Sequence, residues 1–168
     1  FQKSDTGAQA AWKGFSSQTL YIASRVISDD SEYEYYPEDI EDLVVKKDGV
    51  VVEAVQVKNI TAALTLSSLA STKTYIGGEG FFRRMCSLHA MTPSLHCIKV
   101  VYFNTLGLEF QEVQAGNIKT KQAIVKKLVD KHRLSESEAR WLTESLSFEK
   151  VSLNELAFNI LNQISQYI

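Results

Sequence analysis

The chain has 168 residues, 45% of them hydrophobic and 23% charged, with a formal net charge of −2. That is the length and composition of one globular domain with a real core. The near-neutral balance excludes nucleic-acid binding driven by bulk charge. No apolar run is long enough to span a bilayer and no signal-peptide layout is present, so a soluble, cytoplasmic protein is expected. Cys86 and Cys97 make no disulfide framework and suit a reducing compartment. The chain begins at Phe1 and stops inside an apolar helical pattern. We therefore expect residues 1–168 to be a single domain of a longer polypeptide.

In chain order, Asp5 to Ile27 reads as a helix, with Ala8, Ala11, Trp12, Phe15, Leu20, Ile22, Ala23 and Val26 at mixed three- and four-residue spacing. The acidic, aromatic segment that follows contains Pro37, which confines it to loop or edge strand around Tyr33 to Tyr36. Leu43 to Val45 and Val50 to Val57 are β-branched runs around a turn, hence a hairpin. Thr61 to Thr74 and Phe81 to Met91 read as helices separated by Ile76-Gly77-Gly78-Glu79-Gly80. Leu95 to Phe103 is near-continuously apolar, as a buried strand is. Three helices close the chain: Lys119 to His132, Ser135 to Leu146 and Leu153 to Ile168. Ser135 with Glu138, and Ser152 with Glu155, have capping-box spacing. The expected fold class is α/β, a mixed β-sheet flanked by helices with a helical C-terminal part.

The hairpin carries the chemistry. Side chains alternate faces along a strand, so Ala54, Gln56 and Lys58 share one face and Glu53, Val55 and Val57 the other. A two-residue Asp48-Gly49 loop pairs Lys47 with Val50 and sets Asp42 opposite Val55, among Glu53 and Val57. A three-residue loop pairs Lys46 with Val50 and sets Asp42 opposite Ala54, on the face of Gln56 and Lys58. Asp-Gly fits both turns, and a slip of one residue scatters the set.

Two other polar groupings stand out. Cys86, His89, His96 and Cys97 raise the question of zinc. His96 and Cys97 are adjacent at a strand start, where neighbours point to opposite faces, so buried cysteines and ordinary histidines are the better reading. Arg83 and Arg84 follow the glycine-rich break and could neutralise phosphates, as could the lysines of the later helix, although charge runs are usually solvated faces. The break is no phosphate loop, because no Gly-Lys-Ser/Thr follows.

Asp42 with Gln56-x-Lys58 on adjacent strands resembles the PD-(D/E)xK nuclease superfamily, and more closely its Mrr-like Asp…Gln-x-Lys branch. Gly14-Phe15 with Gln18, opening an amphipathic stretch, resembles the start of the N-terminal endonuclease domains of CBASS and Avs anti-phage effectors. The resemblance covers roughly the first half of the chain and favours the three-residue turn. It implies a restriction endonuclease-like core and a metal-dependent endonuclease that cuts double-stranded DNA with little sequence preference. The cofactor would be Mg²⁺ or Mn²⁺, and homo-oligomers would form through domains outside this chain. Asp42 would bind the metal, with Gln56 and the Val57 carbonyl sharing the site. Lys58 would position water or stabilise phosphate charge, and Gln18 would point toward the site. Gln56 is neutral, so weaker metal binding is implied than at a Glu site. Glu53, Asp39 and Glu41 could add charge. Arg83 and Arg84 would contact nucleic acid. The rival reading is a non-catalytic module of a decayed nuclease fold that binds nucleic acid or a subunit.

Overall fold

The computed structural model describes residues 5–29, 32–37, 41–71 and 79–166, and side chains from residue 13 onward. It is α/β, with a five-stranded mixed sheet flanked by helices. Antiparallel pairing joins β1 (Tyr33–Pro37) to β2 (Leu43–Lys47) and β2 to β3 (Val50–Lys58). β4 (Cys97–Tyr102) and β5 (Leu146–Lys150) continue the sheet in parallel.

The apolar side chains divide between two cores by the two-residue period of the strands. Leu43, Val45, Val55, Val57 and Val101 face α1 (Asp5–Ser28) and α7 (Leu153–Ser165), which supply Tyr21 and Leu156. Val44, Ala54, Ile98, Val100 and Phe148 face the opposite way. They pack under α2 (Leu66–Ala70), α3 (Phe81–Met91), α4 (Leu108–Gln114), α5 (Ile118–His132) and α6 (Glu136–Ser145). β3 is central and apolar on both faces, as a strand with partners and helices on each side must be.

Three elements depart from the sequence expectation. The helix expected from Thr61 to Thr74 is the short α2, which Thr65 starts with a reciprocal capping box to Ser68; residues 72–74 lie outside the described residues. α4 and β5 had no place in the sequence reading. α4 has seven residues, too few for periodicity to show. β5 follows α6 with no intervening turn residue, so its start read as the end of that helix.

Gly107 sets how closely the two loops at one end of the sheet approach. Its N–H donates to the Leu64 carbonyl, and a Cβ built there would sit 2.7 Å from that same oxygen. Gly107→Ala is therefore expected to destabilise the fold by about 1–3 kcal/mol, the cost of an overpacked contact. Urea denaturation checks it, and an unchanged midpoint would contradict the close approach.

Candidate functional site

The hairpin brings Asp42, Gln56 and Lys58 together by a route that neither simple turn provides. Asp48 and Gly49 have φ of 52° and 76°, both left-handed, so a two-residue turn closes the hairpin with Lys47 opposite Val50. That turn alone would turn Asp42 toward Glu53 and Val57. A bulge intervenes: Lys46 pairs with Val51, but Val45 pairs with Glu53, leaving Val52 as the extra residue. The alternation shifts by one. Leu43 then pairs with Val55, and Asp42, one residue further back, aligns with Gln56. The three-residue turn favoured by the resemblance is thus corrected, while the shared face it was meant to explain is present.

Asp42 sits at the entrance to β2 with its carboxylate anchored. Its Oδ2 accepts the Gln56 side-chain amide and, at 2.6 Å, the Val57 N–H. No hydrogen bond to Oδ1 occurs among the described residues. Burial pushes the Asp42 carboxyl above its ordinary range, while the Val57 N–H, the Lys58 ammonium, Gln56 and Arg84 pull it back. Lys58 is the mirror case. Burial lowers its affinity for the proton, and the carboxylates of Asp42 and Glu41 oppose that loss. Lys58 makes no ion pair among the described residues, so its charge stays available to an incoming anion. The Val57 carbonyl points to the same side as its N–H, the geometry of any extended residue, and so toward the Asp42 edge.

A second layer holds this edge in place. Glu41, next to Asp42, is 6% exposed and Arg84 on α3 is 7% exposed. Arg84 Nε donates to Glu41 Oε1 at 2.7 Å and Nη2 donates to Oε2 at 3.1 Å, while Nη1 donates to the Glu79 carbonyl at 2.9 Å. The two-pronged pair ties the segment before β2 to α3. Burial raises the Glu41 carboxyl, and Arg84 opposes it.

The other expected site residues lie elsewhere. Gln18 is on α1, across the sheet, and lines an apolar groove with Phe15, Ile22, Val26 and Pro37. No hydrogen bond joins it to Asp42, Gln56 or Lys58. The α1 residue that reaches the end of β3 is its neighbour Ser17, fully buried, whose Oγ accepts the Asn59 amide at 2.5 Å. Arg84 is no surface phosphate ligand, because Glu41 occupies its guanidinium inside the protein. Arg83 donates to Glu138 at 3.1 Å and to the Arg133 carbonyl at 2.8 Å, which bind it to α6 and the end of α5. Glu53 lies on the opposite face, paired with Arg25 at 2.8 Å and Lys99 at 3.1 Å. Asp39 lies outside the described residues.

The four candidate zinc residues are dispersed. Cys86 is buried in the α3 core, His89 stacks on Trp141 with ring centroids 3.9 Å apart, His96 is exposed, and the Cys97 thiol lies 3.5 Å from Ser147 Oγ.

Sequence reasoning named Glu41 only as a possible source of charge at the site and took Arg84 for a phosphate contact, although a signal for their pairing was present. Phe81, Arg84, Met85 and Leu88 follow i, i+3, i+4, i+7 spacing, so Arg84 occupies the buried stripe of α3 and requires a buried carboxylate.

No protein-family model matches the chain, and no curated protein matches it. Solved structures do. A Cap4 SAVED/CARF-domain containing receptor of Moraxella osloensis aligns over 91% of this chain and 37% of its own, at TM-score 0.56 and 17% identity. The Acinetobacter baumannii Cap4 receptor in complex with the cyclic trinucleotide 2'3'3'-cAAA aligns over 91% of this chain and 35% of its own, at TM-score 0.54 and 13% identity. The same receptor with 3'3'3'-cAAA gives TM-score 0.54 and 14% identity. Identities this low show the fold alone. The chain spans little more than a third of the length of these receptors.

These findings correct the family resemblance. The similar structures are described as receptors, two of them with cyclic trinucleotides, and none of these descriptions names a nuclease. The PD-(D/E)xK assignment, hydrolysis of double-stranded DNA and double-stranded DNA as the partner are set aside. The physical reason is the brevity of the signal. Three polar residues on a hairpin recur wherever a strand pair leaves a polar edge, and they do not define a family.

Proposed function

We propose that the face of Asp42, Gln56 and Lys58 is a cation-assisted site for a phosphodiester ligand, in an anti-phage protein of the cyclic-oligonucleotide receptor kind. The observation that carries the reading is the anchored Asp42 carboxylate. Among the described residues, one oxygen is fixed by Gln56 and the Val57 N–H and the other accepts no hydrogen bond, while Lys58, in no ion pair there, shares the face. The receptor structures of the same fold support the ligand class, since two were solved with cyclic trinucleotides. The absence of a helix long and apolar enough to cross a membrane among the described residues is compatible with action in the cytoplasm.

The donor set fits a hard cation. Asp42 Oδ1, the Gln56 amide oxygen and the Val57 carbonyl are all oxygens, the ligands that Mg²⁺ and Mn²⁺ take together with water and ligand phosphate. No three His, Cys, Asp or Glu side chains converge among the described residues, so Asp42 would be the sole carboxylate and ligand phosphate would complete the coordination. A bound cation would polarise the phosphoryl oxygen and acidify a water. Lys58 would place its charge against a nonbridging oxygen, and the low local polarity strengthens that contact. Gln56 would keep Asp42 from rotating away. Hydrolysis of the bound diester is the enzymatic form of this proposal.

The test is calorimetric titration of the protein with cyclic triadenylate, with and without Mg²⁺, followed by chromatography of the nucleotide. Binding is expected to need Mg²⁺ and to be lost on adding EDTA. Lys58→Ala is expected to weaken it by about tenfold or more, the worth of a charge-assisted contact. Binding indifferent to both EDTA and Lys58→Ala would overturn the reading. So would plasmid DNA being cut by a protein that ignores the cyclic nucleotide.

A further inference from the structure

Lys58 is the last residue of β3, and the sheet holds it weakly there. Pairing with β2 ends at Val55, and pairing with β4 ends at Lys58 itself. A strand end with so few ladder bonds frays unless other groups hold it. Here the chain is tied on both sides of Lys58. The Val57 N–H donates to Asp42 Oδ2 at 2.6 Å, and the Asn59 side-chain amide donates to Ser17 Oγ on α1 at 2.5 Å. Beyond β4, the Asn104 amide donates to the Ile60 carbonyl. Successive side chains alternate faces. Ile60 packs on the core that contains Ala54, on the side of Gln56 and Lys58, whereas Asn59 reaches α1 on the other side. We propose that Asn59 is a positioning residue, whose tie to Ser17 holds the end of β3 so that the Lys58 ammonium stays over the Asp42 edge and meets an anion bound there. The proposal rests on the reading of that edge as a cation-assisted site for a phosphate ester.

The chemistry of the contact is specific to the residue types present. Ser17 is fully buried, and its hydroxyl donates to the Lys13 carbonyl one turn back along α1 at 2.7 Å. Its proton is thereby committed, so Ser17 Oγ can only accept, and the side chain at position 59 must donate. The amide of Asn59 does so. Attachment of α1 to the sheet does not depend on this bond. Tyr21 packs among Leu43, Val45, Val55 and Val57, and Arg25 pairs with Glu53 at 2.8 Å. What the bond adds is local, one residue past Lys58. A lysine carries its charge on a flexible four-carbon stem, so a small drift of the strand end moves the ammonium far. Lys58 makes no ion pair among the described residues, and its backbone is therefore what keeps the charge in place.

The experiment uses two probes, Mn²⁺ alone and dimethyl phosphate added to the Mn²⁺-loaded protein. Water-proton relaxation reads the first and phosphorus relaxation the second, on wild type, Asn59→Ala, Ser17→Ala, Lys58→Ala and the double variant Lys58→Ala with Asn59→Ala. Asn59→Ala is expected to leave Mn²⁺ affinity unchanged, because Gln56 and Val57 hold Asp42, and to weaken dimethyl phosphate by up to about tenfold, the worth of the Lys58 contact. Ser17→Ala breaks the same bond and is expected to do the same. Asn59→Ala is expected to add nothing in the Lys58→Ala background, since it acts through Lys58. If Asn59→Ala and Ser17→Ala leave dimethyl phosphate binding unchanged while Lys58→Ala weakens it, the positioning role is wrong and the Lys58 site stands. An equal loss from Asn59→Ala in the Lys58→Ala background also removes the positioning role. If wild type brings no dimethyl phosphate to the Mn²⁺, or Lys58→Ala changes nothing, the reading of the edge fails and takes the positioning role with it. Thermal unfolding of each variant verifies the fold, and either of Asn59→Ala and Ser17→Ala reports on the contact if the other does not fold.

Discussion

Arg84→Ala is expected to destabilise the protein by about 3–5 kcal/mol, the cost of leaving a buried partner charge uncompensated. The guanidinium fills three roles at once: both Glu41 oxygens, the Glu79 carbonyl, and a position over the Phe81 ring with its central carbon 5.9 Å from the ring centroid. Removing it strands Glu41 in a site where water cannot replace the lost donors. The double replacement Glu41→Leu with Arg84→Leu is expected to recover most of the loss, because apolar pairs commonly replace buried ion pairs at little cost. Chemical denaturation of the two single variants and the double variant closes the cycle. An Arg84→Ala midpoint equal to wild type would contradict the buried pair. The double variant also separates two roles. If it is stable yet binds the phosphodiester ligand poorly, Glu41 and Arg84 position Asp42 as well as stabilise the fold.

Asp42→Ala is expected to do the reverse, harming the site far more than the fold. The Asp42 carboxylate is held against an unfavourable burial, which pushes its carboxyl above the ordinary range. Losing it orphans the Val57 N–H and one Gln56 donor, at about 1–2 kcal/mol for partly buried groups. Cation affinity should fall by about 100-fold or more, since even residues behind a metal ligand are worth 10–100-fold. Titration with Mn²⁺ followed by water-proton relaxation measures the affinity, and urea melting measures the stability. A variant that binds Mn²⁺ like wild type would remove Asp42 from the site.

These two variants divide what was legible in the sequence from what was not. The fold class was legible because β3 and β4 are long apolar runs and α5, α6 and α7 are strongly periodic and well capped. The grouping of Asp42, Gln56 and Lys58 was legible as chemistry, but its geometry was not. Counting from the turn gives the wrong face, because the bulge at Val52 inserts one residue and nothing in Val50-Val51-Val52 marks it. The bulge is a property of the pairing with β2. Arg84 was misread for the opposite reason: its local signal was there, but a basic residue was taken as surface charge when its spacing put it on the buried stripe. Gln18 was expected to face the site, but α1 packs on the other face of the sheet. Ser17, with Tyr21 and Ser24, forms the inward stripe of α1, and only the packing of α1 on β3 distinguishes that stripe from its neighbour. The family assignment failed where it rested on the fewest residues.

The central claim is that the Asp42 edge holds a cation for a phosphodiester ligand. Anomalous diffraction from crystals grown with Mn²⁺ and cyclic triadenylate tests it most directly. The account predicts an anomalous peak about 2.1 Å from Asp42 Oδ1 and the Val57 carbonyl, with a phosphate oxygen between the ion and Lys58. Saturating Mn²⁺ with no peak at Asp42, or a nucleotide bound away from the face of Gln56 and Lys58, would contradict it.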